Sequence, residues 1–130
     1  LSHHELYDQY AGDYSSVLSE MIESGQDVSV AERKQAQVSQ RTLRRQITDV
    51  MKDNNLEILV SPAATGPPPE GIDSTGDPIM NLPWSNAGVS VITFPVSQTD
   101  TGLPLGLQCI APFGHDEELL RMCEVVADAL

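Results

Sequence analysis

The sequence predicts an α/β protein of the α+β kind, with two N-terminal helices, a three-stranded mixed sheet that includes a β-hairpin, and a C-terminal helix. Three observations predict it. Capping boxes precede two helical stretches, three short apolar runs follow, and an acidic turn opens a final amphipathic stretch. We expect a single domain over residues 1–130, because a chain of this length supports one hydrophobic core.

The first part of the chain, residues 1–55, is predicted to form a helical hairpin. Near the N-terminus the segment Ser-His-His-Glu has the spacing of a capping box, and apolar residues then recur every three or four positions. The first helix is therefore expected at about residues 3–24, with Gly12 as a weak point and Gly25 as its C-terminal cap. A second capping box at residues 29–32 predicts the start of the other helix.

The rest of the chain is predicted to contain three strands and one helix. Residues 56–60 form a short apolar run typical of a buried strand, and residues 89–110 contain two more such runs around a turn-rich stretch, which favours a hairpin. Between them, residues 61–88 hold six of the nine prolines and four of the nine glycines, so we expect a long functional loop. Acidic residues in the first turn and a buried apolar stripe predict a helix at 115–130.

The charge distribution bears on possible ligands. The net charge of -12 disfavours binding to nucleic acid. No Lys or Arg lies between Lys52 and Arg121, and the other basic residues lie at positions 33–52. We expect the oppositely charged residues of the two N-terminal helices to face solvent. The C-terminal half has no cationic pair for a phosphate or carboxylate, so nucleotides are disfavoured there.

Cysteine and histidine usage indicates a reduced, metal-free protein. Cys109 and Cys123 lie in apolar surroundings, which is typical of buried thiols in an intracellular, cytoplasmic protein. No apolar run approaches the roughly 18 residues of a membrane span, so no membrane association is expected. His3 and His4 lack further ligands nearby, and His115 is expected to have a capping or surface role. We expect no metal and no cofactor.

Several short motifs follow one another between positions 59 and 120. They are Leu-Val-Ser-Pro at 59–62, Gly-Asp-Pro at 76–78, Asn-Leu-Pro-Trp-Ser-Asn-Ala-Gly at 81–88, Phe-Pro at 94–95, Gly-Leu-Pro-Leu-Gly-Leu-Gln at 102–108, and Asp116 with Leu119-Leu120. In this order they resemble the C-terminal region of amidase-signature hydrolases. One departure is Ser90, where family members commonly have proline.

The resemblance implies acyl transfer by a Ser-Ser-Lys triad whose middle serine lies on a cis peptide in a Gly/Ser-rich stretch. That stretch would lie N-terminal to the region seen here, so this chain is predicted to contain no catalytic residue and to be inactive alone. The Ser15-Ser16 pair lies inside a predicted helix without flanking glycines. Lys34 and Lys52 are expected on a solvated face, where a lysine is a poor base.

The loop 61–88 contains the candidate substrate-binding residues Met80, Asn81 and Trp84. The resemblance implies that this loop borders the acyl pocket, and the mixture of an aromatic ring with amide and hydroxyl groups is typical of small-molecule pockets. Trp84 has two interpretations, since the ring either lines the pocket or packs the loop onto the core. The expected substrate is a neutral small-molecule amide.

Three alternatives about the whole protein stay open. The parent protein is a carboxamide hydrolase, or the region is a non-catalytic binding or assembly module, or the parent is the amidase subunit of an amidotransferase. The last is less favoured, because the glutaminase pocket of that subunit commonly has an acidic residue, and threonine three positions later, where this chain has Pro78 and Asn81. We also expect homo-oligomers, formed through an exposed sheet edge or apolar surface.

Overall fold

The computed structural model of the protein describes residues 4–129. It divides into two compact units, Leu1–Ser39 and Gln40–Leu130. The expectation of a single domain over residues 1–130 stays a prediction. Within the described part, no helix combines the length and the apolar character needed to cross a membrane.

The first unit begins with two helices joined by a 3₁₀ turn. Helix α1 spans His4–Tyr10, the 3₁₀ turn spans Ala11–Asp13, and helix α2 spans Ser16–Gln26. The hydroxyl of Tyr7 donates a hydrogen bond to the Glu23 carboxylate at 2.6 Å, which joins α1 to α2.

The single helix predicted at residues 3–24 is therefore broken in two. Gly12 lies in the 3₁₀ turn, as its low helix propensity permits. Ser15 is extended, with φ -65° and ψ 153°, and its hydroxyl accepts a hydrogen bond from the Leu18 amide at 3.3 Å. Ser15 is thus an N-cap that starts a new helix, a role that serine favours over a helix interior. At its other end, α2 continues one residue past the predicted cap at Gly25.

Helix α3 spans Val30–Asp53, and its predicted capping box is confirmed. The Ser29 amide donates to the Glu32 carboxylate at 2.8 Å, and the Glu32 amide donates to the Ser29 hydroxyl at 3.2 Å. The other predicted capping box depends on Ser2, which lies outside the described residues. At its C-terminus α3 ends in a left-handed turn at Asn55, φ 54°, and the Leu56 amide donates to the Met51 carbonyl at 2.8 Å.

The second unit is built on a three-stranded sheet, with β1 at Leu59–Pro62, β2 at Ser90–Gln98 and β3 at Pro104–Ala111. Strand β1 begins later than the predicted residue 56, because the turn after α3 uses residues 54–56. The predicted hairpin is confirmed as β2–β3, and it contains an irregularity between Pro95 and Ser97.

The strand order is β1-β3-β2, and both neighbouring pairs are antiparallel. The predicted fold class is confirmed, but the expectation of a mixed sheet is wrong. Strands β1 and β2 run in the same direction, and β3 is inserted between them, so the parallel strands never become neighbours.

Side chains of β3 alternate between two cores on the opposite faces of the sheet. Cys109 and Ala111 pack on one face with Leu119 and Cys123 of α5, which spans Asp116–Asp128. Ile110 packs on the other face with a short helix, α4 (Leu82–Ala87), and with the second half of α3. The second unit therefore has three layers, namely α5, the sheet, and the second half of α3 with α4.

Candidate functional site

The Pro- and Gly-rich loop 61–88 is partly helical. A 3₁₀ turn spans Pro78–Met80, and α4 begins one residue later, at Leu82. Asp77 caps the 3₁₀ turn, since its carboxylate accepts a hydrogen bond from the Ile79 amide at 2.9 Å, and Pro78 occupies the first position of the turn, where no amide donor is needed. Asn81 connects the two short elements, and the Ser85 amide donates to its carbonyl at 3.0 Å.

Two side-chain amides hold this loop against the sheet. The Gln108 Nε2 donates to the Met80 carbonyl at 3.1 Å and to the Ser61 hydroxyl at 3.0 Å. The Asn81 Nδ2 donates to the Ala63 carbonyl, immediately after β1, at 3.2 Å. Two consecutive residues are thus held by hydrogen bonds, Met80 to Gln108 of β3 and Asn81 to the residue that follows β1.

Gln108 is fully buried, and its other amide atom, Oε1, has no hydrogen-bond partner among the described residues. The indole Nε1 of Trp84 is also buried and has no partner in the same part of the chain. Sequence reasoning missed Gln108 as a site residue. Its one signal was a polar residue inside an apolar strand-like run, because buried amides in strands require specific partners.

Arg44 holds the C-terminal end of α4. Its Nε donates to the Ala87 carbonyl at 2.6 Å, and its guanidinium carbon lies 4.0 Å from the centre of the Phe113 ring. A cation beside a helix C-terminus is favoured by the helix dipole. The expectation that the basic residues of α3 face solvent is wrong for Arg44, which is half-buried, because the neighbouring Gly88 leaves room for the guanidinium.

The three predicted substrate-binding residues do not all face one cavity. Met80 lines a cavity of about 640 Å³ between the Pro-rich loop and the start of β3. Asn81 is exposed and bonded to Ala63, and it does not line this cavity. Trp84 packs against the buried cluster that contains Ala87 and Ile110, so its ring contacts the core.

The cavity beside Met80 has a nearly neutral lining. Proline, glycine, threonine and aliphatic residues make up most of its wall, and Asp77 is the one ionisable residue among those that line it. Its walls carry no lysine or arginine, so nothing there offers a countercharge to a carboxylate or phosphate.

A second cavity, of about 530 Å³, lies where the end of α3 faces α5. It brings together Lys52 and Arg121, the two basic residues that bound the cation-free stretch of the sequence, together with Glu57 and Glu118. The His115 Nδ1 lies 3.0 Å from the Glu118 carboxylate. None of the predicted substrate-binding residues lies in this cavity.

Other candidate nucleophiles and bases are accounted for by local structure. Ser15 caps α2, and Lys34 and Lys52 are exposed. The two cysteines are buried free thiols, as predicted. Burial, and secondarily the neighbouring Cys123, raises the pKa of Cys109 to about 11, so this thiol is a poor nucleophile. Among residues 4–129, no group of three or more His, Cys, Asp or Glu residues is placed to hold a metal ion.

Curated relatives of the chain carry the name of one component of an amidotransferase. The A subunit of glutamyl-tRNA(Gln) amidotransferase from Haloarcula marismortui is 27% identical over an alignment of 101 residues that covers 72% of this chain and 23% of the relative. Its mitochondrial counterpart from Emericella nidulans is 28% identical over 93 residues, covering 58% of this chain and 18% of the relative. The chain therefore spans less than a quarter of the length of these relatives.

Two solved structures share the fold. One, described as the crystal structure of an amidase, matches with a TM-score of 0.82 at 21% identity over 98% of this chain and 32% of its own. The other, from a vestigial protein complex described as revealing the evolutionary origins of an s-triazine catabolic enzyme, matches with a TM-score of 0.76 at 27% identity, over 98% of this chain and 30% of its own. The Amidase family model matches residues 5–120, which is most of the sequence. The chain belongs to the amidase family.

Proposed function

We propose that this chain is the C-terminal portion of a longer parent protein that hydrolyses the C–N bond of a carboxamide. Its role there is to supply one wall of the substrate pocket. The observation that carries the proposal is the attachment of Met80 and Asn81 to the sheet through Gln108 and Ala63, beside a cavity large enough for a small ligand.

The chemistry is assigned to residues outside this chain. Acyl transfer needs a nucleophile within hydrogen-bond reach of its base. Among the described residues, the candidate Ser15 caps a helix, and Ser16, Lys34 and Lys52 are exposed to solvent. The proposed Ser-Ser-Lys triad therefore lies in the remaining part of the parent, and this chain alone is expected to be inactive.

The proposed substrate is a neutral amide, and the parent needs no cofactor for this reaction. The cavity beside Met80 is lined by apolar and neutral polar residues apart from Asp77. A carboxylate held from this side would face a like charge and no cation, which disfavours acidic substrates. A cytoplasmic location is consistent with the two reduced thiols.

The proposal is tested by measuring ammonia release from simple neutral carboxamides, with the parent protein and with this chain alone. We expect turnover by the parent and none above background by the chain. Turnover by the isolated chain would overturn the assignment of the triad to another segment. An inactive parent would favour a binding or assembly module.

The pocket wall has a matched pair of variants. In the parent, Met80→Ala should raise KM for a neutral amide, because the side chain lines the cavity. Ile79→Ala is the control, since Ile79 is the preceding residue, is 55% exposed and does not line the cavity. Equal effects of the two substitutions would contradict the pocket role of Met80.

The names of the curated relatives favour a second candidate, the amidase component of an amidotransferase. In that case glutamine would be the amide donor, and a partner protein would be required. The cavity without lysine or arginine in its wall and the presence of Pro78 and Asn81 favour the simple hydrolase. Glutamine hydrolysis that appears only with a partner protein would decide for the second candidate.

A further inference from the structure

Gln108 is the one residue with a polar side chain among the fully buried residues of the described chain. It lies on the central strand β3, opposite Ser61 of β1 and Thr93 of β2. A buried amide is costly unless it is hydrogen-bonded, so its partners indicate why this position is polar.

Both donated hydrogen bonds of Gln108 leave its own strand. Nε2 donates at 3.0 Å to the Ser61 hydroxyl and at 3.1 Å to the Met80 carbonyl. The Met80 carbonyl can only accept, so it must face the amide nitrogen, and the orientation of the amide is fixed. One side chain therefore joins β3, β1 and the 3₁₀ turn that carries Met80.

We propose that Gln108 is a positioning residue for the substrate pocket, because its amide fixes Met80 and the following α4 on the sheet. This inference rests on the proposed function and goes beyond it, since it assigns the placement of the pocket wall to one buried side chain. Gln108 acts through the Met80 backbone.

The unpartnered Oε1 helps to separate this role from a purely structural one. An unpaired buried acceptor lowers stability, and an apolar side chain of similar size would remove that cost. Gln108→Met removes both the unpaired acceptor and the two donors. Loss of the unpaired acceptor raises the free energy of unfolding, and loss of the two donated hydrogen bonds lowers it, so the two effects on global stability oppose each other. The loop, in contrast, only loses its attachment.

The first measurement is amide hydrogen exchange in this chain. In Gln108→Met, the Asn81 and Ser85 amides should exchange about tenfold faster than in the wild type, because a hydrogen bond that holds the loop closed is lost. Amides of the β2–β3 pair should change much less. Ser61→Ala is the matched control, since it removes the other acceptor and leaves the bond to Met80 in place. Unchanged loop exchange in Gln108→Met would overturn the proposal.

A third variant, Gln108→Glu, gives a pH signature that packing alone does not produce. The ionised carboxylate has no donor for the Met80 carbonyl, whereas the protonated acid has one. Burial raises the pKa of a carboxyl at such a position, so the loop should be held at low pH and released as pH rises through that pKa. The pH dependence of loop amide exchange is compared among Gln108→Glu, Gln108→Met and the wild type. If Gln108→Glu shows no additional pH dependence, the hydrogen bond to Met80 is not what holds the loop.

The last measurement is made on the parent protein with a neutral carboxamide. Gln108→Met should raise KM by about tenfold with kcat within about threefold, because the displaced wall weakens binding while the triad lies elsewhere. Ser61→Ala should stay close to wild type. If the parent is active and the loop is released in Gln108→Met, an unchanged KM would overturn the positioning role. A parent without amidase activity would overturn the proposed function, and the pocket role of Gln108 with it, while the exchange data would still report on the attachment itself.

Discussion

Arg44 joins three segments of the second unit with a single side chain. Replacing it with alanine removes the 2.6 Å hydrogen bond to the Ala87 carbonyl and the contact with the Phe113 ring. We expect Arg44→Ala to lower the free energy of unfolding by about 2 kcal/mol, as measured by urea denaturation. Arg45→Ala is the control, because Arg45 is exposed on the same helix, and it should change the value by less than about 0.5 kcal/mol. Equal effects would contradict the assigned role of Arg44.

The capping box of α3 is expected to depend on pH. The Ser29 hydroxyl and amide hold the pKa of Glu32 below its usual value. A lowered folded-state pKa means that the cap stabilises the helix above the unfolded pKa of glutamate, and that this contribution is lost as pH falls through the lower folded value. NMR titration of the Glu32 carboxyl should give this lowered pKa. In Ser29→Ala, where only the backbone donor remains, the pKa should move part of the way back. A normal pKa in the wild type would contradict the cap.

At the residue scale, local chemistry could be predicted from sequence and long-range contacts could not. The Ser29–Glu32 capping box is formed by residues three positions apart, so their spacing in the sequence is sufficient to predict it. Arg44 and Gln108 act on residues that are 43 and 28 positions away in the chain. Nothing in a local pattern distinguishes Arg44 from its exposed neighbour Arg45, because the difference arises only when α4 packs beside α3.

At the element scale, Gly88 allows α4 to end beside Arg44. Its φ of 65° is left-handed, and a Cβ there would lie 2.8 Å from Arg44 Nη2. We expect Gly88→Ala to cost about 2 kcal/mol in the free energy of unfolding, whereas Gly25→Ala, in helix α2 with open space around it, should be neutral or stabilising by up to about 1 kcal/mol. In an Arg44→Ala background the cost at Gly88 should fall, because the close contact is gone. If urea denaturation shows the same free-energy cost of Gly88→Ala in the wild-type and the Arg44→Ala backgrounds, that contact is contradicted.

The elements themselves were predictable in kind but less so in their ends and pairing. Periodicity and capping indicated the helices, and β-branched runs indicated the strands. The apolar periodicity does not predict the break between α1 and α2, because it continues through Ser15 and Ser16, although Ser15 is a cap. The antiparallel pairing of β1 with β3 depends on where the long loop returns the chain, which local sequence does not specify.

At the scale of the molecule, the sheet leaves one strand partly uncovered. Helix α5 packs on β2 and β3, and Val60 of β1, on the same sheet face as Cys109, is 56% exposed. Among the described residues, β1 and β2 are the edge strands of the sheet. An edge strand with an exposed apolar residue favours pairing with another chain. In the parent protein, this surface would be available to the remaining part of the fold.

We therefore expect the isolated chain to self-associate through β1. Static light scattering should give a mass above 14.1 kDa at high concentration, and Val60→Lys should shift the equilibrium towards monomer by placing a charge on the edge. Val125→Lys is the control, because Val125 is 62% exposed on α5 and lies away from the edge. The net charge of -12 makes copies repel each other, so added salt should strengthen association by screening. A monomer at all concentrations and salt levels, or equal effects of the two lysine variants, would rule out association through this edge.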